Sequence, residues 1–171
     1  MKQLLQTAIV LLVLKLSLAV PGSPGGSIDR LRLGMPLSEG ESIQASSGRK
    51  LRYESGQYWF ADQEDFMNFG NRGPRVWFNR DANLTRIRGS NLTVGSKDYQ
   101  VGTPRAELES GLGKPDKVSR FTELKTKYVE ASYSGLHLAV LYTSPDDAEP
   151  TVSSFIMDND EASLNFSETG L

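Results

Sequence analysis

A nine-residue stretch occurs twice in this chain, and its recurrence limits the fold more than any other feature. Gly34-Met35-Pro36-Leu37-Ser38-Glu39-Gly40-Glu41-Ser42 aligns without gaps on Gly102-Thr103-Pro104-Arg105-Ala106-Glu107-Leu108-Glu109-Ser110, in the pattern G-x-P-x-x-E-x-E-S. The second copy starts 68 residues after the first. At the same spacing Arg52-Tyr53 falls on Arg120-Phe121, and with one extra residue Ile87 falls on Ile156. A period of this length points to a duplicated supersecondary unit, so the chain is expected to be two tandem α+β repeats, residues 28–95 and 96–157.

Each copy reads as a helix followed by strands. In the second, Thr103 is placed to cap, Pro104 suits the first helical position, and Leu108 and Leu112 form an i,i+4 apolar pair before Gly113 stops the helix. Four segments rich in Val, Tyr, Phe and Thr follow: 117–121, 127–133, 136–142 and 151–157. In the first copy a helix is expected over 34–44, with looser packing because Gly40 and Gln44 stand where Leu108 and Leu112 do. Strands are expected at 49–53, 57–61, 66–69, 75–79 and 84–88.

The ends read differently. Met1–Lys2, an apolar run over 4–20 and small residues at Ser17 and Ala19 form the pattern of an export signal over 1–19. The rival reading is an uncleaved N-terminal anchor. Residues 20–27 read as a Pro/Gly/Ser tether and 158–171 as an acidic, flexible tail. Export predicts a periplasmic or extracellular protein. Three N-x-[S/T] sequons, at Asn83, Asn91 and Asn165, carry little weight in a chain rich in Asn, Ser and Thr.

The 171 residues include 19 Lys+Arg, 21 Asp+Glu, one His and no Cys, for a formal charge of -2. That balance offers no basic field for nucleic acid. Without Cys there is no disulfide, thiol nucleophile or lipidated cysteine, and with one His no metal ligand set is apparent. Asp158-Asn159-Asp160-Glu161 lacks the glycine and terminal acid of a calcium loop. Neither a metal nor a cofactor is expected.

Val101-Gly102-Thr103-Pro104 followed by Leu108-Glu109-Ser110-Gly111-Leu112-Gly113-Lys114-Pro115-Asp116-Lys117-Val118 resembles the opening of the small envelope domains typified by the lipoprotein of the outer-membrane β-barrel assembly machine. A tandem pair of such units resembles the β-lactamase inhibitor protein fold. The resemblance spans roughly Leu33 to Met157, and only the second copy carries Leu112-Gly113-Lys114-Pro115-Asp116. It implies two αβ units joined in one curved antiparallel sheet, with helices on one face, an open concave face, and a binding function without catalysis.

His137 is the only candidate for imidazole chemistry and lies in an alternating run, 136–141, that reads as a half-buried strand. Glu107/Glu109 and Glu39/Glu41 sit two apart on helices and so face different ways. No catalytic residue is assigned. The aromatic residues carry the functional reading. Alternation sends Tyr58, Phe60, Val76 and Phe78 to the core and Trp59 and Trp77 to the open face, where with Tyr128, Arg75 and Arg86 they form a candidate protein-binding surface. The leading reading is an exported, non-enzymatic protein-binding module. The alternatives are a membrane-anchored envelope-assembly scaffold and, third, a small hydrolase using His137.

Overall fold

The structure is a computed structural model, which describes residues 25–62, 73–123, 125–144 and 149–160. The expected signal segment, most of the tether, the strand expected at 66–69, the sequon at Asn165 and residues 161–171 lie outside the described residues.

Two helices and eleven strands are described. In chain order they are β1 (Gly26–Ile28), α1 (Leu37–Ala45), β2 (Lys50–Glu54), β3 (Gln57–Ala61), β4 (Arg75–Phe78), β5 (Leu84–Gly89), β6 (Asn91–Val94), β7 (Lys97–Gln100), α2 (Arg105–Leu112), β8 (Lys117–Glu123), β9 (Thr126–Tyr133), β10 (Leu138–Thr143) and β11 (Thr151–Asp158). Every described strand pair is antiparallel. The fold is α+β. Eight strands form one sheet in the order β2-β3-β4-β5-β11-β10-β9-β8, and β1-β6-β7 form a second, smaller one.

Alternation along the large sheet sorts its side chains onto two faces. One face carries Phe60, Val76, Ile87, Leu138, Val140, Tyr142 and Phe155, which join Leu108 of α2 and the small-sheet residues Ile28, Leu92 and Tyr99 in the main core. Leu37 and Ile43 of α1 pack against the same cluster. The opposite face has a separate small cluster, Ala139, Leu141 and Ile156, flanked by Phe121 and Tyr128. No described helix covers it.

The two lobes of the large sheet are tied to their helices by the same backbone bonds. Gly34 N–H donates to Leu84 O, Leu84 N–H to Met35 O, and Leu37 N–H to Ala82 O; 68 residues later Gly102 donates to Val152, Val152 to Thr103, and Arg105 to Pro150. The isolated bridges Pro36–Asn83 and Pro104–Thr151 keep the same spacing. A register shift in β5 leaves Thr85 as an extra residue against β4, and one in β11 leaves Ser153 extra against β10.

Several expectations are corrected. Helix α2 begins at Arg105 with Pro104 as its N-cap, and Thr103 caps nothing: its Oγ1 accepts the Gln100 N–H, 3.2 Å away, in the preceding turn. Helix α1 starts at Leu37 rather than at residue 34, and it does not pack loosely. Gly40 and Gln44 are its buried residues, and a Cβ on Gly40 would stand 3.3 Å from Leu31 Cδ2. Glycine thus brings the helix close to the core. Gln44, 3% exposed, donates from Nε2 to Asp29 O at 2.7 Å.

Ile156 is not the counterpart of Ile87: Ile87 lies in the main core and Ile156 on the opposite face. The tether does not run to residue 27, because Gly26–Ile28 pairs with β6 as β1. Strands β1, β6 and β7 are not among the expected strands, and the expected boundary at 95/96 falls in the β6–β7 turn. Asp29 and Arg30, with φ 49° and 69°, form the left-handed centre of the tight turn after β1. The Asp29 carboxylate accepts the Ser90 N–H and Asn91 Nδ2–H across from it, and Gly89 makes room, since a Cβ there would overlap Asp29 Oδ2.

Candidate protein-binding face

The face that no described helix covers, called the helix-free face below, is organised in rows by strand register. One row crosses all eight strands: Arg52, Trp59, Arg75, Arg88, Ile156, Ala139, Ser132 and Lys117, each directly opposite the next. A second row holds Trp77, Arg86 and Asp158, and a third holds Ser154, Leu141, Glu130 and Ser119.

All five candidate residues lie on this face. Trp59, Arg75, Trp77 and Arg86 form one stack: the Arg75 guanidinium carbon sits 4.2 Å from the Trp59 ring centre and 5.5 Å from that of Trp77, and Arg86 sits 5.2 Å from Trp77 on its own side. Cations at these distances are held by the indole quadrupole, and the effect grows as water is excluded. Arg75 is only 8% exposed, while both tryptophans are half-buried. Tyr128 stands apart from the stack, on β9, where it packs against Phe121 with ring centres 5.2 Å apart and planes within 17°.

Arg88 and Asp158 also belong to this surface. Arg88 follows Arg86 at the strand period of two and therefore shares its face, a signal present in Arg86-Ile87-Arg88. Its Nε donates to Ser154 Oγ at 3.1 Å, and burial, with Arg86 nearby, holds its pKa below the ordinary arginine value. Asp158 is expected at the start of the tail over 158–171 and instead belongs to the sheet. It closes β11, is 6% exposed, and its Oδ2 lies 3.4 Å from Arg86 NH1. Burial raises its pKa, and the Asp160 N–H bond and the Arg86 charge work against that rise.

His137 is not in a strand. It follows the 3-10 turn Ser134–Leu136 with φ 50° and ψ 38°, so the alternation that paired it with Ala139 and Leu141 does not reach it. Its Nδ1 lies 3.2 Å from Asp158 O, and its carbonyl accepts the Asp158 N–H. These bonds tie the β9–β10 connection to the end of β11. Among the described residues no group of three His, Asp or Glu side chains is placed to hold a metal ion, and no helix is long and apolar enough to cross a membrane. Compared with protein-family models, curated proteins and solved structures, the chain matches none of them.

Proposed function

We propose that this chain is an exported, non-enzymatic protein-binding module built from two tandem copies of one α+β unit, with the helix-free face of its large sheet as the contact surface. One observation carries the reading: at matching backbone positions the two halves bear different side chains on that face. Counting from the shared bulge, Arg86 and Arg88 match Ser154 and Ile156, and counting from the strands opposite it, Arg75 and Trp77 match Ala139 and Leu141. The second half forms the same strands with small and apolar residues. This contrast supports a role for the arginines and tryptophans of the first half beyond forming the sheet. Half-buried Trp and Arg are the residues that dominate protein interfaces. The recurring bonds and the shared bulge support duplication as the origin of the two halves, as the resemblance to the envelope αβ domains implies.

The test is capture from an envelope extract with the purified chain, alongside the double variant Trp59→Ala/Trp77→Ala. The expected result is a protein captured by the native chain and absent from the variant, with the variant's circular dichroism unchanged. Equal capture by both would remove this surface from the reading.

A further inference from the structure

The helix-free face is electrically lopsided. In β2–β5 alternation places Lys50, Arg52, Arg75, Arg86 and Arg88 on it against a single acid, Glu54. In β8–β11 it places Lys117 against Glu123, Glu130 and Asp158. The chain as a whole is at -2, so the five cations run against the overall charge. Arg75 and Arg88 are directly opposed across β4 and β5, an arrangement of like charges that destabilises a sheet. Ala139 and Ile156 hold the matching opposed pair in β10 and β11 without that cost. The guanidinium is the side-chain cation whose planar fork matches a carboxylate with two parallel bonds.

We infer that the β2–β5 half of this face receives carboxylates: the partner presents a short acidic polypeptide segment whose Asp or Glu side chains meet Arg52, Arg75, Arg86 and Arg88 around the two tryptophans. This rests on the helix-free face being the contact surface and adds the chemistry of what it contacts. The extent of the charge selects a short segment. An extended polyanion such as nucleic acid, or an anionic lipid surface, would also lie against Glu123 and Glu130 on β8 and β9 and be repelled there.

Trp59 and Trp77 are the only tryptophans in the chain, so intrinsic fluorescence reports this face. The experiment is a fluorescence titration of the full chain with a short glutamate peptide at low salt, with heparin and phosphatidylglycerol vesicles titrated in parallel. Saturable binding of the peptide that weakens with added salt is expected, with heparin and vesicles binding more weakly. Arg52→Glu should weaken binding by about tenfold or more, whereas Lys117→Glu, at the matching place on β8, should change it by less than about twofold. Arg86→Gln probes the inner part of the cluster; should it fail to fold, Arg52→Glu, on an edge strand, carries the test. No fluorescence response to the short glutamate peptide, equal losses from Arg52→Glu and Lys117→Glu, or tighter binding of heparin or vesicles would each overturn the inference. A captured protein that is lost with Trp59→Ala/Trp77→Ala but indifferent to salt and to Arg52→Glu would keep the contact face and discard its carboxylate chemistry.

Discussion

After its bulge β5 reads Arg86-Ile87-Arg88, and after the matching bulge β11 reads Ser154-Phe155-Ile156. The middle residue of each triplet points into the main core and is apolar in both. The flanking residues point to the helix-free face and share nothing. The helices show the converse: the first half uses Gly40 and Gln44 where the second uses Leu108 and Leu112, and yet both helices pack on one core. The difference teaches which positions the backbone governs. Turn residues, the Pro36 and Pro104 caps and inward side chains hold each lobe in place, and a half can exchange size for proximity beneath its helix. Outward residues are left for other uses, and in the first half they are arginine and tryptophan.

The largest effect should come from exchanging the helix residues. Leu108 is fully buried, and Leu108→Gly removes its side chain from the core and adds the helix penalty of glycine, for a loss of about 3–6 kcal/mol. The reverse change, Gly40→Leu, pushes a side chain against Leu31, Phe60 and Leu84, which already lie within 4 Å of where a Cβ would stand, and should cost about 1–3 kcal/mol. Urea unfolding followed by circular dichroism measures both. A Gly40→Leu variant as stable as the native chain would mean that α1 has room beneath it, and the contrast between close and filled packing would fail.

Much of the architecture was legible in advance. The repeated G-x-P-x-x-E-x-E-S element marks both helix starts, and strand-period alternation assigned Phe60 and Val76 to the core and Trp59 and Trp77 to the other face. The small sheet is not legible, because Gly26-Ser27-Ile28 is three residues long and its partners β6 and β7 are four residues each. The turn at Asp29-Arg30 hid the strand before it: neither residue is the Gly or Asn that advertises left-handed geometry. His137 was misplaced for a related reason, since a left-handed residue at the start of β10 breaks an alternation that looks continuous in one dimension. On the helix-free face single residues are legible in the sequence but rows are not. That Arg75 opposes Arg88, and that Asp158 ends beside Arg86, follow from pairings between strands far apart in the chain.

A smaller effect on stability, and a sharper test of the comparison, comes from giving the first half the second half's residues. The double variant Arg75→Ala/Arg88→Ile copies Ala139 and Ile156 onto β4 and β5. It loses the Arg88–Ser154 bond and the stacking of Arg75 on Trp59, and it removes the opposed pair of cations. These terms oppose one another, so unfolding free energy should stay within about 1 kcal/mol of the native value while binding of the captured partner is lost. A loss of several kcal/mol would show that the arginines serve the fold.

The smallest effect is expected at Asp158, whose place in the first half is held by Ser90, 68 residues earlier. A buried carboxyl on β11 thus stands where β5 is followed by an uncharged residue. Because burial outweighs the Asp160 N–H and Arg86, the folded pKa is raised, and the folded state holds this proton more tightly than the unfolded chain. Stability from this group is therefore full below the ordinary carboxylate pKa and falls as pH rises through the folded value. Asp158→Asn cannot titrate, so the stability of the native chain relative to this variant should decline over that interval and then level off. Urea unfolding of both proteins in steps from about pH 3 to 7 measures the difference. A difference that instead grows with pH would reverse the sign and mean that attraction to Arg86, rather than burial, governs Asp158, leaving this end of the cation cluster neutralised from within the fold.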